Sequence, residues 1–500
     1  MNYNNYNIET GATESIISLP TCSRVINCDV SEDISIPEGL PDVRRVLAVR
    51  ENILSPAKFI GARAVDMSGS VDYTVIYLGA DGNIYSAPFS AEYSFSLPLD
   101  SIDSNESVSV ICSLSPDGYN VRMSTPRRLQ IRAGIRASAL CFGRMVATES
   151  IDGIDDESAI ERLELSCENS FFNCETSDIV TLSDEYLLSE GDRIIYSSAD
   201  VFINDVRIDG EIALAVGEAV VKLALQNGDN IEIITRKIPF EAETDLEELD
   251  LSEESVLCRA YGSVNELDVS VIDGRAHIDV GVVLEACMAQ NRSVRYTRDM
   301  YSTKQICKAE YKKCSLPIAL FNKNVNMTQS EQILAANAGF ETGMEILDVW
   351  GSAYLEDSAL EGRRYVLRGK VRYKMLCRRD GNISTCDCEL PFKYEAELGE
   401  VDVSGSCADI KVMGARVRCD GENLLVEGEL AISATIYGLC EVDMLSRATL
   451  GDAIEQKKNQ IVVCFKGSDE SVFDLAKRYS VPFSKITEEA HGNSFVIIER

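Results

Sequence analysis

The chain has 500 residues, 45% of them hydrophobic and 26% charged, which is the composition of a globular protein. At about 150 residues per domain, this length predicts roughly three domains and excludes a single hydrophobic core. Asp and Glu number 81 against 48 Lys and Arg, so the formal net charge is −33. A nucleic-acid backbone or an anionic membrane surface would repel such a protein, and we expect no nucleic acid among its partners.

The N-terminal residues and the cysteines indicate the compartment. The first twenty residues contain no basic region followed by an apolar stretch, so we expect no secretory signal, and no apolar run approaches the roughly 18 residues that would insert into a membrane. Seventeen cysteines are scattered from Cys22 to Cys464 without a Cys-x-x-Cys motif, which favours reduced thiols in a cytoplasmic protein. Zinc is the weaker interpretation, because His277 and His491 are the only histidines. We therefore predict no metal and no cofactor.

Three segments of the chain share a spacing of apolar residues and glycines. In each segment an apolar residue is followed 22 positions later by a glycine: Leu47 and Gly69, Ile195 and Gly217, and Leu347 and Gly369. Each glycine opens a strand of alternating character, which runs into an Asp-Gly or Asn-Gly turn typical of hairpins. The returning strand then carries a Pro-Phe pair: Pro88-Phe89, Pro239-Phe240 and Pro391-Phe392.

Further glycines extend this pattern into the second half of each segment. Gly134, Gly281 and Gly428 are 147 residues apart, each between alternating apolar runs. The alternation has the period of two that is typical of half-buried antiparallel strands. The sequence therefore predicts a mainly β protein with three tandem antiparallel β-sandwich-like repeats. We place an N-terminal extension at residues 1–36 and the repeats at 37–145, 146–300 and 301–458.

The pattern changes in the last segment, residues 459–500. IVVCF is a short strand, after which Ser468 or Asp469 could cap a helix that carries Val472 and Leu475 on its apolar face. A second helix is predicted from Ser484, and FVII would end the chain as a strand. The order is βααβ, and the phrase DLAKRYSVPFSKI resembles a LysM domain.

The resemblance to LysM domains implies a binding groove at the tail. LysM domains bind glycans that contain N-acetylglucosamine, between the first strand–helix loop and the second helix–strand loop. Here Asp469-Glu470-Ser471 replaces the usual Gly-Asp-Thr/Ser, and Ala490 or His491 stands where the family has Asn. Since the groove residues are altered while the scaffold is kept, protein docking is favoured, and peptidoglycan binding is the alternative.

Three β repeats followed by a LysM-like tail resemble the DUF3794 proteins of spore-forming Firmicutes, whose repeat is also called the SPOCS domain. The motifs are Leu40-Pro41-Asp42-Val43, the VIY strand, the Asp-Gly turn and the Pro-Phe pair, and the second repeat is looser. The resemblance implies a scaffold for spore coat assembly in the mother-cell cytoplasm at the forespore surface. Its partner would be the coat's morphogenetic, basement-layer ATPase. The alternative is a cell-wall protein whose tail binds peptidoglycan, and exposed sheet edges could also support self-association.

We predict no enzyme and no catalytic residues. The chain has no GxSxG, Walker, HExxH or dinucleotide-binding motif, and His277 lies in an alternating strand. Cys386 and Cys388 could form a redox pair, but structural thiols on one strand face are favoured, and Trp350 is expected in a core. The predicted partner-binding or glycan-binding residues are those at the start of the tail helix: Asp469, Glu470, Ser471, Val472 and Phe473. For Phe473, an exposed interface anchor and a packed core residue are both open.

Overall fold

The structure is a computed structural model that describes residues 15–99, 107–147, 150–153, 159–209, 212–245, 256–398, 402–455, 461–465, 470–489 and 495–499. Over these residues the chain is mainly β, as predicted. Most of the antiparallel strands are long, and they are grouped into seven sheets in the described part of the chain. One α-helix is described, close to the C-terminus.

The first unit of the fold contains two sheets that pack face to face. One sheet has the order β1-β7-β6, and in the other β2, β3 and β5 all pair with β4. Both sheets contribute to one core, in which Tyr73 and Val75 of β4 pack with Ile131 and Ile135 of β7. The strands are β1 (Ser15–Ser35), β2 (Val43–Ile53), β3 (Ala57–Ile60), β4 (Ala64–Gly79), β5 (Ile84–Pro98), β6 (Val108–Thr125) and β7 (Arg128–Ala147).

The second unit follows a short strand, β8 (Ser150–Asp152), that pairs in parallel with a strand of the third unit. Its sheets have the orders β10-β15-β14, with β9 also on β15, and β11-β12-β13. The strands are β9 (Ile160–Thr176), β10 (Val180–Leu187), β11 (Arg193–Asp209), β12 (Ile212–Asn227), β13 (Asn230–Asp245), β14 (Val256–Ile272) and β15 (Arg275–Ser302).

The third unit has the sheets β16-β21-β20 and β17-β18-β19. A 3₁₀ turn at Ala335–Ala338 connects its first two strands and ends at Gly339, which has a positive φ of 69°. The strands are β16 (Gln305–Leu334), β17 (Glu345–Glu361), β18 (Arg364–Arg379), β19 (Asn382–Glu397), β20 (Gly405–Asp420) and β21 (Asn423–Ala453).

The same strand order therefore occurs in all three units. In each, the last strand lies between the first and the penultimate strand. The intervening strands form the second sheet, except that β10 of the second unit pairs with β15 in the first sheet. The last strands end at Ala147, Ser302 and Ala453. The N-terminal boundary differs from the expected one, because Ser15–Ser35 pairs with β7 along almost its whole length. This segment, expected to be an extension, supplies the first strand of the first unit.

The register explains the glycines that open the alternating strands. Gly217 lies opposite Phe240, and a Cβ at Gly217 would be only 2.8 Å from that ring. Gly369 lies opposite Phe392 in the same way, whereas Gly69 lies opposite Tyr93. The Pro88-Phe89 pair of the first unit is thus not equivalent to the other Pro-Phe pairs. What the fold needs at this position is an aromatic ring over the glycine, and Tyr93 provides it.

The three units contact one another in pairs and close a ring. β5 contacts β11, β6 contacts β20, and β15 contacts β16, so each unit touches both of the others. Leu47, Ile195 and Leu347, the residues that begin the three matching segments, lie in one apolar cluster at the centre. Because this cluster draws on all three units, burial of apolar surface holds the ring together.

Arginine side chains also form hydrogen bonds between neighbouring units. In each contact the donor and the acceptor follow one another in the same sense around the ring. Arg193 of the second unit donates to the carbonyl oxygen of Ile84 in the first unit, at 3.0 Å. Arg45 of the first unit, at the matching position, donates to the carbonyl oxygen of Ile383 in the third unit.

In the third unit Glu345 stands at this position and cannot donate. Arg378 on the paired strand binds the Glu345 carboxylate at 2.7 Å and donates to the carbonyl oxygen of Asp229 in the second unit. The three contacts therefore follow one another head to tail, which is the geometry that closes a ring of similar units.

The C-terminal tail forms a small sheet with one helix. The sheet has the order β22-β24-β23, and both pairings are antiparallel. Leu475, Val481 and Ile498 form its buried core. The elements are β22 (Ile461–Phe465), α1 (Val472–Tyr479), a 3₁₀ turn (Phe483–Lys485), β23 (Ile486–Glu489) and β24 (Phe495–Glu499).

The observed order, strand, helix, strand, strand, differs from the predicted βααβ. The predicted second helix from Ser484 is a single 3₁₀ turn followed by β23. The β-branched residues Ile486 and Thr487 follow this turn, and β-branched side chains favour a strand. The chain therefore leaves the short turn directly into the sheet.

Candidate functional site

The tail helix begins later than predicted. Ser471 is the N-cap: its hydroxyl accepts from the Asp474 backbone N–H at 3.1 Å, and the Asp474 carboxylate accepts from the Ser471 N–H at 2.9 Å. This capping box satisfies two backbone donors at the helix start. Ser468 and Asp469, the predicted caps, lie outside the described residues. Asp469 was also a predicted contact residue, and the structure gives no account of it.

Two more of the predicted contact residues have structural roles on the helix. Glu470 forms an ion pair with Arg478, two turns further along the helix, and only 17% of the Glu470 side chain is exposed. Val472 is the first helical residue and is half-buried. Together with Ser471, these residues define how the helix starts.

Phe473 is buried within the chain. It is 3% exposed, and its ring meets the ring of Tyr301 edge to face with the centroids 5.2 Å apart. Tyr301 belongs to β15 of the second unit, and Leu163 of β9 packs against the same cluster. The ring of Phe473 thus anchors the tail to the body, and the possibility that it is an exposed anchor for another protein is wrong.

Polar contacts surround this aromatic pair. The Tyr301 hydroxyl donates to the carbonyl oxygen of Val481 at 2.7 Å, in a buried setting. The Lys477 ammonium lies 2.7 Å from the Asp299 carboxylate, also on β15. The helix and the loop after it therefore lie on the end of the second unit's longest strand.

Apolar side chains of the tail remain exposed at the edge of its sheet. β22 pairs with β24 and, in the described part of the chain, with no other strand. Ile461 is 72% exposed and Val463 59% exposed, while Val462 and Cys464 alternate with them and pack on the tail core. An open strand edge with apolar residues on its outer face can bind another chain. Sequence reasoning named IVVCF as a strand but did not single out these residues, although their alternation was visible.

The remaining predicted residues lie apart from this tail. His277 is on β15, with its Nδ1 3.2 Å from the Glu185 carboxylate of the neighbouring strand β10. His491 lies outside the described residues. Trp350 is half-buried at the centre of the ring, where Arg50 lies over its ring at 4.5 Å.

Cys386 and Cys388 both lie on β19. Cys386 is buried and Cys388 half-buried. The Cys386 thiol lies 3.3 Å from the carbonyl oxygen of Gly339, to which it can donate, and it also accepts from the S–H of Cys377 on the adjacent strand β18. The hydrogen bond between the two thiols lowers the pKa of Cys386 and raises that of Cys377.

Each junction between two units contains a buried ion pair that sequence reasoning missed. Lys58 and Glu285 join the first and second units at 2.9 Å, and Arg259 and Asp409 join the second and third at 3.0 Å. Burial alone would lower the pKa of Lys58, but the adjacent Glu285 raises it above the usual value, so the lysine stays charged. Buried pairs of this kind can fix one arrangement of the parts against others.

The third pair lies where all three units meet. Asp348 of the third unit accepts from Arg50 of the first unit at 2.8 Å and from the Tyr196 hydroxyl of the second unit at 2.7 Å. Lys222 of the second unit is 3.4 Å from the same carboxylate. A signal for this cluster exists in the sequence: the spacing of the segments puts Asp348 where the first has Ala48 and the second Tyr196. A carboxylate in place of an apolar residue indicates a specific partner.

Over the described ranges, no cluster of three or more His, Cys, Asp or Glu residues is placed to hold a metal ion. Nor does the described structure contain a helix with the length and apolar character needed to span a membrane. No family model, no curated protein and no solved structure matches this chain.

Proposed function

We propose that the protein is a non-enzymatic scaffold of spore coat assembly, which docks a basement-layer coat ATPase through its tail. In this proposal the three β units are tandem copies of a SPOCS-like repeat, and the tail is a LysM-like domain used for protein binding. The protein would act in the mother-cell cytoplasm, at the forespore surface. The resemblance of the sequence motifs supports the identity of the partner, and the contacts of the tail support the surface used.

The observation that carries the proposal is the division of the tail into an attached face and an open edge. Phe473, Lys477 and Val481 hold the tail on β15, so these residues are occupied within the chain. Ile461 and Val463 on the edge strand β22 face solvent. A partner strand could pair with β22 through main-chain hydrogen bonds and cover both side chains, which is a common mode of peptide recognition.

The closed ring suits the role of a platform. Its three junctions combine apolar clusters with buried ion pairs, so the three units are held in one arrangement. A scaffold needs such a fixed geometry in order to hold a partner at one distance and orientation. The ring also leaves other sheet edges, through which copies of the protein could associate.

The test uses the full chain and a pull-down with the purified coat ATPase of the same organism. We expect the double variant Ile461→Asp and Val463→Asp to lose at least about tenfold in affinity, because two charges would face an apolar partner surface. The matched control is Val271→Asp with Ile272→Asp, since these residues are 55% and 54% exposed on a hairpin of the second unit. The control should bind like the unchanged protein.

A parallel sedimentation assay with insoluble peptidoglycan tests the alternative. If the full chain sediments with peptidoglycan and does not bind the ATPase, the proposal is wrong and the tail is a glycan-binding module. If the ATPase binds the double variant as tightly as the control, the docking surface is wrong even though the partner is right.

A further inference from the structure

A cavity of about 130 Å³ lies between the first and third units. Val49 and Glu51 of β2 line it, together with the exposed Asp117 of β6. Since one water molecule needs about 10–15 Å³ measured in this way, the space corresponds to about ten waters. A ligand of roughly ten non-hydrogen atoms would therefore fill it.

Glu51 is one of the side chains that line this cavity. Its Oε1 atom has no hydrogen-bond partner and almost no accessible surface, so a ligand in the cavity would reach the carboxylate through the other oxygen. Burial raises the pKa of Glu51 to about 7, against the opposing effect of Arg372 and Lys374, which lower it. A buried carboxylate without a donor is costly, and a ligand that donates to its second oxygen would stabilise the charged form.

Cationic donors stand next to this acceptor. Arg372 uses Nε and Nη2 to bind Glu389, at 2.8 and 2.6 Å. Its Nη1 lies on the cavity side, since a Cβ built at Gly118 in the cavity wall would be 3.7 Å from that atom. Lys374 donates to the Tyr119 hydroxyl at 2.7 Å, and an ammonium has two further N–H groups. Both cations are close enough to Glu51 to act on its charge.

Aromatic and aliphatic side chains form about half of the wall. Trp350 and Tyr354 of β17 and Val49 and Pro116 of the first unit belong to this apolar half, while Asp117 and Ser352 add polar groups. Aromatic and aliphatic walls with convergent polar groups are typical of small-molecule sites. The cavity thus combines one buried carboxylate, two adjacent cations and a partly apolar wall within a small volume.

We propose that this cavity binds a free α-amino acid with an apolar side chain of the size of leucine. The ligand ammonium donates to the Glu51 carboxylate, and the ligand carboxylate accepts from Arg372 and Lys374. The side chain packs against Trp350 and Tyr354. A zwitterion presents its donor and acceptors a few ångströms apart, and charge-assisted hydrogen bonds of this type are among the stronger ones.

The test is titration calorimetry of the full chain with L-leucine, N-acetyl-L-leucine, L-leucinamide and glucose. The acetyl derivative has no ammonium and the amide has no carboxylate, so each lacks one half of the recognition. We expect leucine to bind at least tenfold more tightly than either derivative, and glucose not to bind. Quenching or enhancement of Trp350 fluorescence should report the same affinity.

Glu51→Gln is the diagnostic variant. It should lower the affinity for leucine at least tenfold but leave the binding of N-acetyl-L-leucine unchanged. The glutamine amide at position 51 removes only the partner of the ligand ammonium, which the acetyl derivative lacks. Glu92→Gln, an exposed carboxylate on β5 of the same unit, is the matched control and should behave like the unchanged protein. The Trp350 emission spectrum without ligand verifies that both variants retain the junction.

The affinity should also depend on pH in a defined direction. Glu51 titrates from charged to neutral as the pH falls through about 7, and only the charged form pairs with the ammonium. Leucine affinity should therefore be constant above pH 8 and fall by up to about tenfold per pH unit below 7. The other titratable groups that face Glu51 are Arg372 and Lys374 of β18 and Tyr73 of β4, and Asp117 lines the same cavity.

Several outcomes would overturn the proposal. Failure of leucine to bind at millimolar concentration would mean that the cavity holds only water. Equal binding of leucine and N-acetyl-L-leucine would exclude pairing of the ammonium with Glu51. Tight binding of glucose would identify a polyol site instead. None of these results bears on the ATPase pull-down, so the two proposals can fail separately.

Discussion

The junctions within the β ring and the contact between ring and tail are built from different interactions. Within the ring, the members of the Arg259–Asp409 pair are 3% and 5% exposed, and those of Arg50–Asp348 are 12% and 3% exposed. At the tail, the Lys477–Asp299 pair is 35% and 18% exposed, and one buried aromatic pair provides most of the packing. Charge is thus more deeply buried between the units than at the tail.

This difference indicates that the ring and the tail have different mechanical roles. A buried ion pair that loses one member leaves a charge in a medium that cannot solvate it, so the units are bound to one arrangement. A half-exposed pair loses little when it opens, because water replaces the partner. We therefore expect the ring to unfold as one body and the tail to detach from it without disturbing it.

The largest effect is expected from Arg259→Leu. The change leaves the Asp409 carboxylate buried without its partner and removes donors to Ser433 and to Thr435, so the free energy of unfolding of the ring should fall by about 3–5 kcal/mol. Urea unfolding followed by Trp350 fluorescence measures this loss, since Trp350 lies at the centre of the ring.

The control is the double variant Arg259→Leu with Asp409→Leu, which removes both charges. It should be far more stable than the single variant and close to the unchanged protein. If the free energy of unfolding of the single variant falls by less than about 1 kcal/mol, water reaches the pair. The ion pairs of the ring would then not differ from the ion pair of the tail.

The second effect concerns the tail alone. Phe473→Ala removes a buried ring, which typically costs about 3–5 kcal/mol, but the loss should fall on the contact between tail and ring. Hydrogen exchange of the amides in Val472–Tyr479 should become faster by two orders of magnitude or more. The urea transition of Trp350 should not move. If that transition shifts by a similar free energy, the tail belongs to the same cooperative unit as the ring.

Local patterns predicted much of the ring. The Asp-Gly and Asn-Gly turns lie at the hairpins between β4 and β5, β12 and β13, and β18 and β19, and their glycines have positive φ. The sequence comparison was wrong only in the first unit. Pro88-Phe89 has the same residue types as the other two Pro-Phe pairs, but Tyr93 is the residue that lies opposite the glycine. Register depends on the strand opposite, which a motif search along one strand does not see.

The burial of Phe473 could not be predicted for a similar reason. Its helix has one apolar face, but what covers that face is Tyr301, from another part of the chain. The strand Ser15–Ser35 was missed because its partner, β7, begins about a hundred residues later, and because Pro20 interrupts its pattern at a register shift. Polar residues that pair across units carry no local periodicity, so Asp348 stood out only by comparison with Ala48 and Tyr196.

The smallest effect should come from Lys477→Ala, which breaks the half-exposed pair with Asp299. Coulomb attraction at this exposure is screened by solvent, and we expect a loss of about 0.5–1 kcal/mol in the attachment of the tail. The same hydrogen-exchange measurement on the tail helix should show an increase of less than about tenfold, and 0.5 M salt should reduce the difference from the unchanged protein. Lys477→Arg, which keeps the charge, should restore the slower exchange. A loss as large as that of Phe473→Ala would mean that charge, and not the aromatic pair, holds the tail on β15, and the distinction between ring and tail would have to be reversed.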